Sequence, residues 1–216
     1  MHQILVYGDS LSWGVIPNTR NRLAFADRWP GVLERELLRQ GHLARVIEDC
    51  LNGRRTALDD PSKPGRNGLV GLEQRIEVNS PLALVMLFLG TNDFQSMHDV
   101  NAVQSARGLG SLVAAIRRAP VEPGMPIPEI MLIAPPPIQI GKAAIAAKFL
   151  NAETKSVGLN TAIRDVAVAE NCQFFDAGDV TATSEVDGVH LDRDQHSILG
   201  TALAVSVAAV LSLAQR

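Results

Sequence analysis

The sequence predicts an α/β protein with three layers, α/β/α, in which a five-stranded parallel sheet lies between two layers of helices. Five short apolar or β-branched runs alternate along the chain with segments of helical spacing. This alternation favours parallel pairing of the strands through right-handed crossovers. The chain has 216 residues and no shift in composition, which predicts one domain over residues 1–216.

The five predicted strands are short, apolar and bounded by turn residues. They are Ile4–Tyr7, Ala44–Glu48, Leu82–Leu89, Ile130–Ala134 and Gln173–Phe175. Runs of this kind, without strict alternation of polar and apolar residues, are typical of strands that are buried on both faces.

Segments with helical spacing fall between and after these strands. They are Trp29–Gln40, Gly68–Val78, Val100–Arg118, a stretch within Lys142–Glu170, and a last helix from about Asp194 to Leu213. Asp27 is predicted to cap the first of them, and Pro30 to lie in its opening turn. The Ala- and Val-rich composition of the last helix predicts that it is largely buried.

Composition and charge exclude several classes of partner. The net charge is -3, with Lys and Arg spread along the chain, so we expect no nucleic-acid surface and no membrane surface. No stretch is expected to reach the roughly 18 to 20 apolar residues that cross a bilayer. Gln3–Tyr7 is predicted as a strand and not as part of a secretory signal. Cys50 and Cys172 are expected to be free thiols in a reducing compartment, which predicts a cytoplasmic location.

Polar residues follow the predicted strands at the edge where parallel sheets bind ligands. Ser10 follows the first strand, Gly53 the second and Asn92 the third, while Asp187 and His190 lie in a loop beyond the fifth. If the strand order is 2-1-3-4-5, as in flavodoxin-like sheets, the first three loops lie side by side. This arrangement would bring the polar residues of three separate segments to one place.

The residue types in these loops are those that acyl transfer requires. The Ser10 hydroxyl needs a base to become a nucleophile, and His190 is suited to be that base. Asp187, three residues earlier, is placed to orient the imidazole. His196 is the competing base and Asp176 the competing acid, although we expect Asp176 to brace its own turn.

Three groups are candidate donors to an oxyanion. The side-chain amide of Asn92 is one, and the backbone N–H groups of Gly53 and Ser10 are the others. Gly53 has no Cβ to obstruct a close approach. From its residue type alone, Asn92 could equally serve only to form the turn after the third strand. Asp9 and Asp93 are expected to hydrogen-bond to the backbone around their turns.

These residues resemble the conserved blocks of the SGNH/GDSL hydrolases. Gly8–Leu11 resembles the GDSL block, Gly53 the glycine of the second block, Gly90–Asp93 the third and Asp187–His190 the last. The resemblance implies that Ser10, Asp187 and His190 form a catalytic triad. It also implies that Ser10, Gly53 and Asn92 form the oxyanion hole. Leu191 departs from the pattern, because many members have proline after the histidine.

Further segments narrow the resemblance to the small bacterial arylesterase/acyltransferase branch. They are Ser12–Gly14, Arg28–Glu34, Asp59–Pro61 and Pro135–Pro137. The branch implies a homo-oligomer. Trp13 and Arg54, which follow the first two strands, are candidate substrate-binding residues, although a solvated loop face is the alternative for Arg54 and for Arg55.

The sequence thus predicts a serine esterase that hydrolyses short-chain acyl esters and passes the acyl group to alcohols. Its partner would be a small-molecule ester. No cofactor and no metal are expected, because the chain has no metal-binding motif such as His-Glu-x-x-His or Cys-x-x-Cys. A thioesterase or lysophospholipase, a carbohydrate acetylesterase, and a non-catalytic flavodoxin-like binding module are the alternatives.

Overall fold

A computed structural model describes residues 1–213, which contain a sheet of five strands, all of them parallel. The strands lie in the order β2-β1-β3-β4-β5, which confirms the predicted fold class and the predicted strand order. Their bounds are β1 His2–Gly8, β2 Ala44–Cys50, β3 Leu84–Phe88, β4 Glu129–Ala134 and β5 Gln173–Asp176.

The described residues include seven α-helices and four short 3₁₀ helices. The α-helices are α1 Ser10–Trp13, α2 Trp29–Arg39, α3 Leu72–Asn79, α4 Ala102–Arg118, α5 Ala152–Lys155, α6 Leu159–Ala169 and α7 Arg193–Leu213. The 3₁₀ helices are Phe25–Asp27, Thr91–Phe94, Ala143–Phe149 and Ala177–Asp179. The predicted helical stretch within Lys142–Glu170 therefore consists of three separate pieces.

Helices cover both faces of the sheet because successive side chains of each strand point to opposite faces. In β1, Ile4 and Val6 pack in one core cluster with α2 and α7. Leu5 and Tyr7 pack in the other, with α3, α4 and α6. Burial of one large aliphatic side chain stabilises the fold by about 1.5 to 3 kcal/mol, so apolar residues on both faces of the strands favour the three-layer arrangement.

The start of α2 differs from its prediction. Arg28, not Asp27, is the N-cap residue, and its side chain makes no capping hydrogen bond. Asp27 instead ends the preceding 3₁₀ helix, whose last turn places it one residue too early to cap α2. Pro30 lies in the first turn of α2, as predicted.

The last helix, α7, begins one residue before its predicted start and ends at its predicted end. By length and composition alone, this helix is long and apolar enough to cross a membrane. The expectation that no stretch of the chain is so long and apolar is therefore wrong. The residues of its buried face, such as Leu199, Leu203 and Val207, pack in the same core cluster as α2. Gly200 allows the close approach, since a Cβ there would lie 2.7 Å from the Trp29 carbonyl oxygen.

The register of the central strands brings the loops of the predicted site together. At the carboxyl end of β1, Gly8 pairs with Cys50 of β2 and with Phe88 of β3. The three strands therefore end at nearly the same level. The loops that follow them, with Ser10, Gly53 and Asn92, leave the sheet at one edge.

Candidate active site

Ser10 lies at the first position of α1, directly beyond the end of β1. The helix is capped by Asp9, whose Oδ1 accepts a hydrogen bond of 2.9 Å from the backbone N–H of Leu11. The chain turns sharply here, which places the Ser10 side chain at the carboxyl edge of the sheet. Ser10 is buried except for about 7% of its surface.

His190 and Asp187 contact each other within one loop, and the loop brings both to Ser10. The Nε2 atom of His190 lies 3.2 Å from Ser10 Oγ, and its Nδ1 atom lies 2.7 Å from Asp187 Oδ2. With a proton on Nδ1, the imidazole donates to the carboxylate, and Nε2 is free to accept the serine proton. The three side chains form the hydrogen-bonded series that activates a serine.

The carboxylate of Asp187 is held in place by three backbone groups as well. Its Oδ1 accepts hydrogen bonds from the N–H groups of Val189 and His190, and its Oδ2 accepts one from Asn18. Burial acts to raise the pKa of Asp187, but the hydrogen bonds and the positive potential of His190 outweigh it and lower the pKa below its ordinary value. Asp187 is therefore ionised throughout the neutral range.

The side-chain amide of Asn92 is oriented by two buried partners. Its Nδ2 donates to Asp9 Oδ2 at 2.8 Å, and its Oδ1 accepts from Gln95 Nε2 at 2.6 Å. The second hydrogen of the Asn92 amide has no acceptor among the described residues, and Asn92 lines the same cleft as Ser10 and His190. This hydrogen is available to a substrate oxygen.

Gly53 also lines the cleft, and its requirement for glycine is conformational. Its φ angle is 83°, in the left-handed region that residues with a side chain rarely adopt. A Cβ at this position would meet Arg66 only at 3.9 Å. Glycine is therefore required here by the backbone angle and not, as predicted, by lack of space for a Cβ.

Behind Asn92, a series of buried polar contacts continues to the loop after β2. The Oε1 atom of Gln95 accepts a hydrogen bond of 2.5 Å from Arg55 Nη2, and Arg55 Nη1 pairs with Asp60 at 2.8 Å. Arg55 has no exposed surface, so the solvated loop face suggested for it is wrong. We define this series, Asp9–Asn92–Gln95–Arg55–Asp60, as the support chain.

Asp9 differs from Asp187 in its surroundings and therefore in its pKa. Asp9 is 1% exposed, and this burial raises its pKa to about 6, although the hydrogen bond from Leu11 acts against the shift. Asp9 contacts backbone, as predicted, but it also holds Asn92. Its second role connects loops that are 83 residues apart.

Asp93 braces the neighbouring loop. Its oxygens accept hydrogen bonds from the backbone N–H and the hydroxyl of Thr56, and from the hydroxyl of Ser105. The expectation of a contact around its own turn is therefore corrected. Burial raises the pKa of Asp93. Asp93 thus connects the loop after β3 to the loop after β2, and these two loops carry Asn92 and Gly53 on the cleft lining.

Two predicted substrate-binding residues do not line the cleft. Arg54 is 4% exposed, donates to Gly8 O and Asp49, and lies 3.8 Å over the ring of Tyr7. Its predicted substrate contact and its alternative as a solvated residue are both wrong, because carbonyl oxygens below the loop attract it inward.

Trp13 ends α1, and its ring contacts another residue of the following loop. The guanidinium group of Arg22 lies 4.7 Å from the centre of its ring, and Arg22 Nε donates to the Trp13 carbonyl oxygen. Trp13 is not among the residues that line the cleft. The structure does not support the predicted substrate contact of Trp13, because its ring lies against Arg22 and outside the cleft lining.

The two competing candidates occupy structural positions. His196 has no exposed surface, and its Nδ1 lies 3.3 Å from the N–H of Trp29. Burial lowers the pKa of His196 to about 3, so it stays neutral and does not reach Ser10. Asp176 braces its own turn, as expected, by accepting a hydrogen bond from the N–H of Gly178.

The cleft over Ser10 has a volume of about 760 Å³ and is lined by six segments of the chain. Sequence reasoning missed two of them: the loop of Asn18, Thr19 and Arg20, and the 3₁₀ helix Ala143–Phe149. Neither directly follows a strand, and both reach the site through contacts that are distant in sequence. The lining residues are Ser10, Val15, Asn18, Thr19, Arg20, Asn52, Gly53, Asp60, Lys63, Asn92, Ala144, Ile145, Lys148, Phe149, Asp187 and His190.

A parallel α/β sheet that carries a Ser–His–Asp series at its carboxyl edge defines the chain as a hydrolase of the serine type. A family profile described as the GDSL-like Lipase/Acylhydrolase family matches residues 6–198. The chain belongs to this family, and it is an esterase or acylhydrolase with the SGNH hydrolase fold.

Solved structures of esterases are similar to the chain over nearly its whole length. The inhibitor-bound aryl esterase of M. smegmatis has 33% identity and a TM-score of 0.92, covering 97% of this chain and 100% of its own. Est24, a carbohydrate acetylesterase from Sinorhizobium meliloti, has 32% identity and a TM-score of 0.91, with the same coverage. Another carbohydrate acetylesterase family member from that organism has 36% identity, a TM-score of 0.91 and coverage of 98% and 100%. The comparison with curated proteins gave no match.

Proposed function

We propose that the chain hydrolyses esters of short acyl groups, including aryl acetates, through an acyl-enzyme on Ser10. The observation that carries the proposal is the contact of His190 with both Ser10 and Asp187 in a cleft that Asn92 and Gly53 also line. This combination unites a base, its orienting acid and oxyanion donors, which are the elements of acyl transfer.

In the proposed reaction, Ser10 Oγ attacks the ester carbonyl carbon while its proton moves to His190 Nε2. The oxyanion accepts hydrogen bonds from the N–H groups of Ser10 and Gly53 and from the amide of Asn92. His190 then gives the proton to the leaving alkoxide, and the acyl group stays on Ser10. Water repeats the steps in reverse and releases the carboxylic acid.

A preference for short acyl groups is supported by the character of the cleft wall. Only four lining residues have apolar side chains, namely Val15, Ala144, Ile145 and Phe149. A buried methylene contributes about 0.8 kcal/mol, so a cleft that buries few of them gains little from a long chain. We therefore expect kcat/KM to be highest near acetate.

Hydrolysis is the principal reaction in this proposal, and transfer to alcohols is secondary. Transfer to an alcohol requires that water be excluded, and Trp13, which could have done so, lies outside the cleft lining. The product ratio in mixtures of methanol and water measures the remaining transfer. The homo-oligomer implied by the resemblance stays a prediction, which light scattering tests.

A carbohydrate acetylesterase is the second candidate function. Two carbohydrate acetylesterases are as similar to the chain as the aryl esterase is. A volume of about 760 Å³ also leaves space for an alcohol larger than phenol beside an acetyl group. Acetylated sugars in the substrate series distinguish this candidate from an aryl esterase.

The test combines active-site labelling with a series of substrates. A fluorophosphonate should modify Ser10 of the unaltered protein and leave Ser10→Ala unlabelled. The kcat/KM values of p-nitrophenyl esters from acetate to palmitate should decline with chain length. A maximum at the long-chain end refutes the short-acyl proposal, and a Ser10→Ala variant with a tenth of the original turnover refutes the nucleophile.

A further inference from the structure

Three basic residues around the cleft have no partner in the described part of the chain. Arg20 follows α1, Lys63 lies in the loop after β2, and Lys148 lies in the 3₁₀ helix Ala143–Phe149. All three line the cleft that holds Ser10 and His190, and all three are exposed. We define them as the cationic rim.

Several other cations of the chain, including some in the loops around the cleft, are engaged by protein groups, unlike the cationic rim. Lys142 pairs with Glu185, Lys155 donates to two backbone carbonyl oxygens, and Arg55 pairs with Asp60. Within residues 1–213, the side chains of Arg20, Lys63 and Lys148 form neither a salt bridge nor a hydrogen bond. Their charges are therefore available to a ligand in the cleft.

The carboxylates that line the cleft do not offset the cationic rim. Asp187 is committed to His190. Asp60 accepts hydrogen bonds from Ser62 and Arg55, and these contacts lower its pKa although its burial acts to raise it. Because buried Arg55 already balances the charge of Asp60, the mouth of the cleft is positive on a chain whose net charge is -3.

The positive charges lie close enough to affect one another. Desolvation lowers the pKa of Lys148, and the nearby charges of Arg55 and Lys63 lower it further, more than Asp60 restores it. Like charges that converge on a concave surface raise the local concentration of anions and favour their binding. A neutral substrate would leave the repulsion between these positive side chains uncompensated, whereas an anionic substrate would reduce it.

We propose that the natural ester carries an anionic group on its alcohol portion, and that the cationic rim binds this group. The inference rests on the proposed esterase function of the same cleft. The acyl group in that function is small, so the alcohol portion occupies most of the 760 Å³ and reaches the cationic rim. The substrate class is thus a short-chain acyl ester of an anionic alcohol.

The test compares three esters of matched shape that differ in charge. They are 4-(acetoxymethyl)benzoate, its neutral carboxamide, and the corresponding trimethylanilinium ester, whose charges lie far from the reacting carbon. In low salt, we expect kcat/KM of the anionic ester to exceed that of the carboxamide by roughly 3- to 10-fold and the cationic ester to be slowest. At 1 M salt the Debye length is about 3 Å, and the ratio should approach one.

Variants assign the preference to the cationic rim. The double variant Lys63→Gln/Lys148→Gln should reduce the anionic-to-neutral ratio to below about twofold, since most of the rim charge is removed. Lys142→Gln is the matched control, because Lys142 is an exposed lysine of the same region that pairs with Glu185 and does not line the cleft. This control should retain the preference.

The outcomes separate failure of the inference from failure of the proposed function. Hydrolysis of p-nitrophenyl acetate that does not depend on Ser10 would refute the esterase proposal and the inference together. Ser10-dependent hydrolysis with equal rates for the anionic and neutral esters would overturn the inference alone. A preference for the cationic ester, or an anionic preference unchanged in the double variant, would also overturn it.

Discussion

The two halves of the candidate active site are built over different distances along the chain. Asp187 and His190 are three residues apart in one loop. The oxyanion half depends on Asn92, whose side chain is held by Asp9, 83 residues earlier in the chain. Asn92 also contacts Gln95, which is held in turn by Arg55, 40 residues before Gln95. The contact between Asp187 and His190 is thus local, whereas the contacts that orient Asn92 exist only once β1, β2 and β3 have paired.

The carboxylates of the two halves also differ in electrostatics. Asp187 accepts hydrogen bonds from three backbone N–H groups and faces a histidine, and its pKa is lowered. Asp9 has one backbone donor and one neutral amide, and burial raises its pKa. Positive groups lower the pKa of both carboxylates, but the additional hydrogen-bond donors outweigh burial only at Asp187. The oxyanion half is therefore sensitive to pH and to distant substitutions.

Loss of the base in the local half should have the largest effect. His190→Ala is expected to lower kcat by roughly 10⁴ to 10⁶, because no other group can take the Ser10 proton. His196→Asn is the control, since asparagine retains an acceptor for the Trp29 N–H. Steady-state rates with p-nitrophenyl acetate decide the matter: an active His190→Ala beside an inactive His196→Asn would reverse the assignment.

A smaller effect is expected from the key donor of the oxyanion half. Asn92→Ala should lower kcat by about 10² to 10³ and change KM little, because the amide meets charge that develops in the transition state. Separate determination of kcat and KM tests this. A change confined to KM would mean that Asn92 only binds the ground state.

The acid–base half was the part that the sequence predicted best. Asp187 and His190 are three residues apart, so their proximity follows from their short separation in sequence. The strand order was expected from the alternation of strands and helices. Ser10, Gly53 and Asn92 converge in the cleft because parallel strands end at one edge. These features depend on local pattern and on the topology that it dictates.

The support chain and the burial of Arg54 could not be predicted, for a physical reason. An arginine in a loop is ordinarily exposed, and only the carbonyl oxygens and the Tyr7 ring beneath the loop make burial of Arg54 favourable. Those partners belong to other segments of the chain, so the sequence around residue 54 contains no pattern that indicates them. The same holds for Arg55, whose partner Gln95 is 40 residues away.

Asp9 should make stability depend on pH. Its pKa is about 6 in the folded protein and about 4 when unfolded. Between these values the folded state holds more protons, so the free energy of unfolding falls as pH rises, by about 3 kcal/mol in total. Asp9→Asn lacks this contribution. Urea unfolding of both proteins at pH 4 and pH 7 measures it, and parallel pH dependences would contradict it.

The smallest expected effect tests whether the oxyanion half acts through its distant members. Gln95 is fully buried and donates to Asn92 Oδ1 while it accepts from Arg55. Gln95→Glu keeps the size of the side chain and its contact with Arg55, but it replaces the donor with a second acceptor. The carboxylate would then repel Asn92 Oδ1 and favour a rotated amide that no longer aims its free hydrogen into the cleft.

We therefore expect Gln95→Glu to lower kcat about tenfold with little change in KM. Asn92 retains its contact with Asp9, so the effect should be smaller than that of Asn92→Ala. Gln104→Glu is the matched control, because this glutamine lies in the exposed capping box of α4, where glutamate serves equally well. An unchanged kcat in Gln95→Glu, beside a large loss in Asn92→Ala, would show that Asp9 alone orients the amide. The oxyanion half would then depend on one distant partner instead of a series of them.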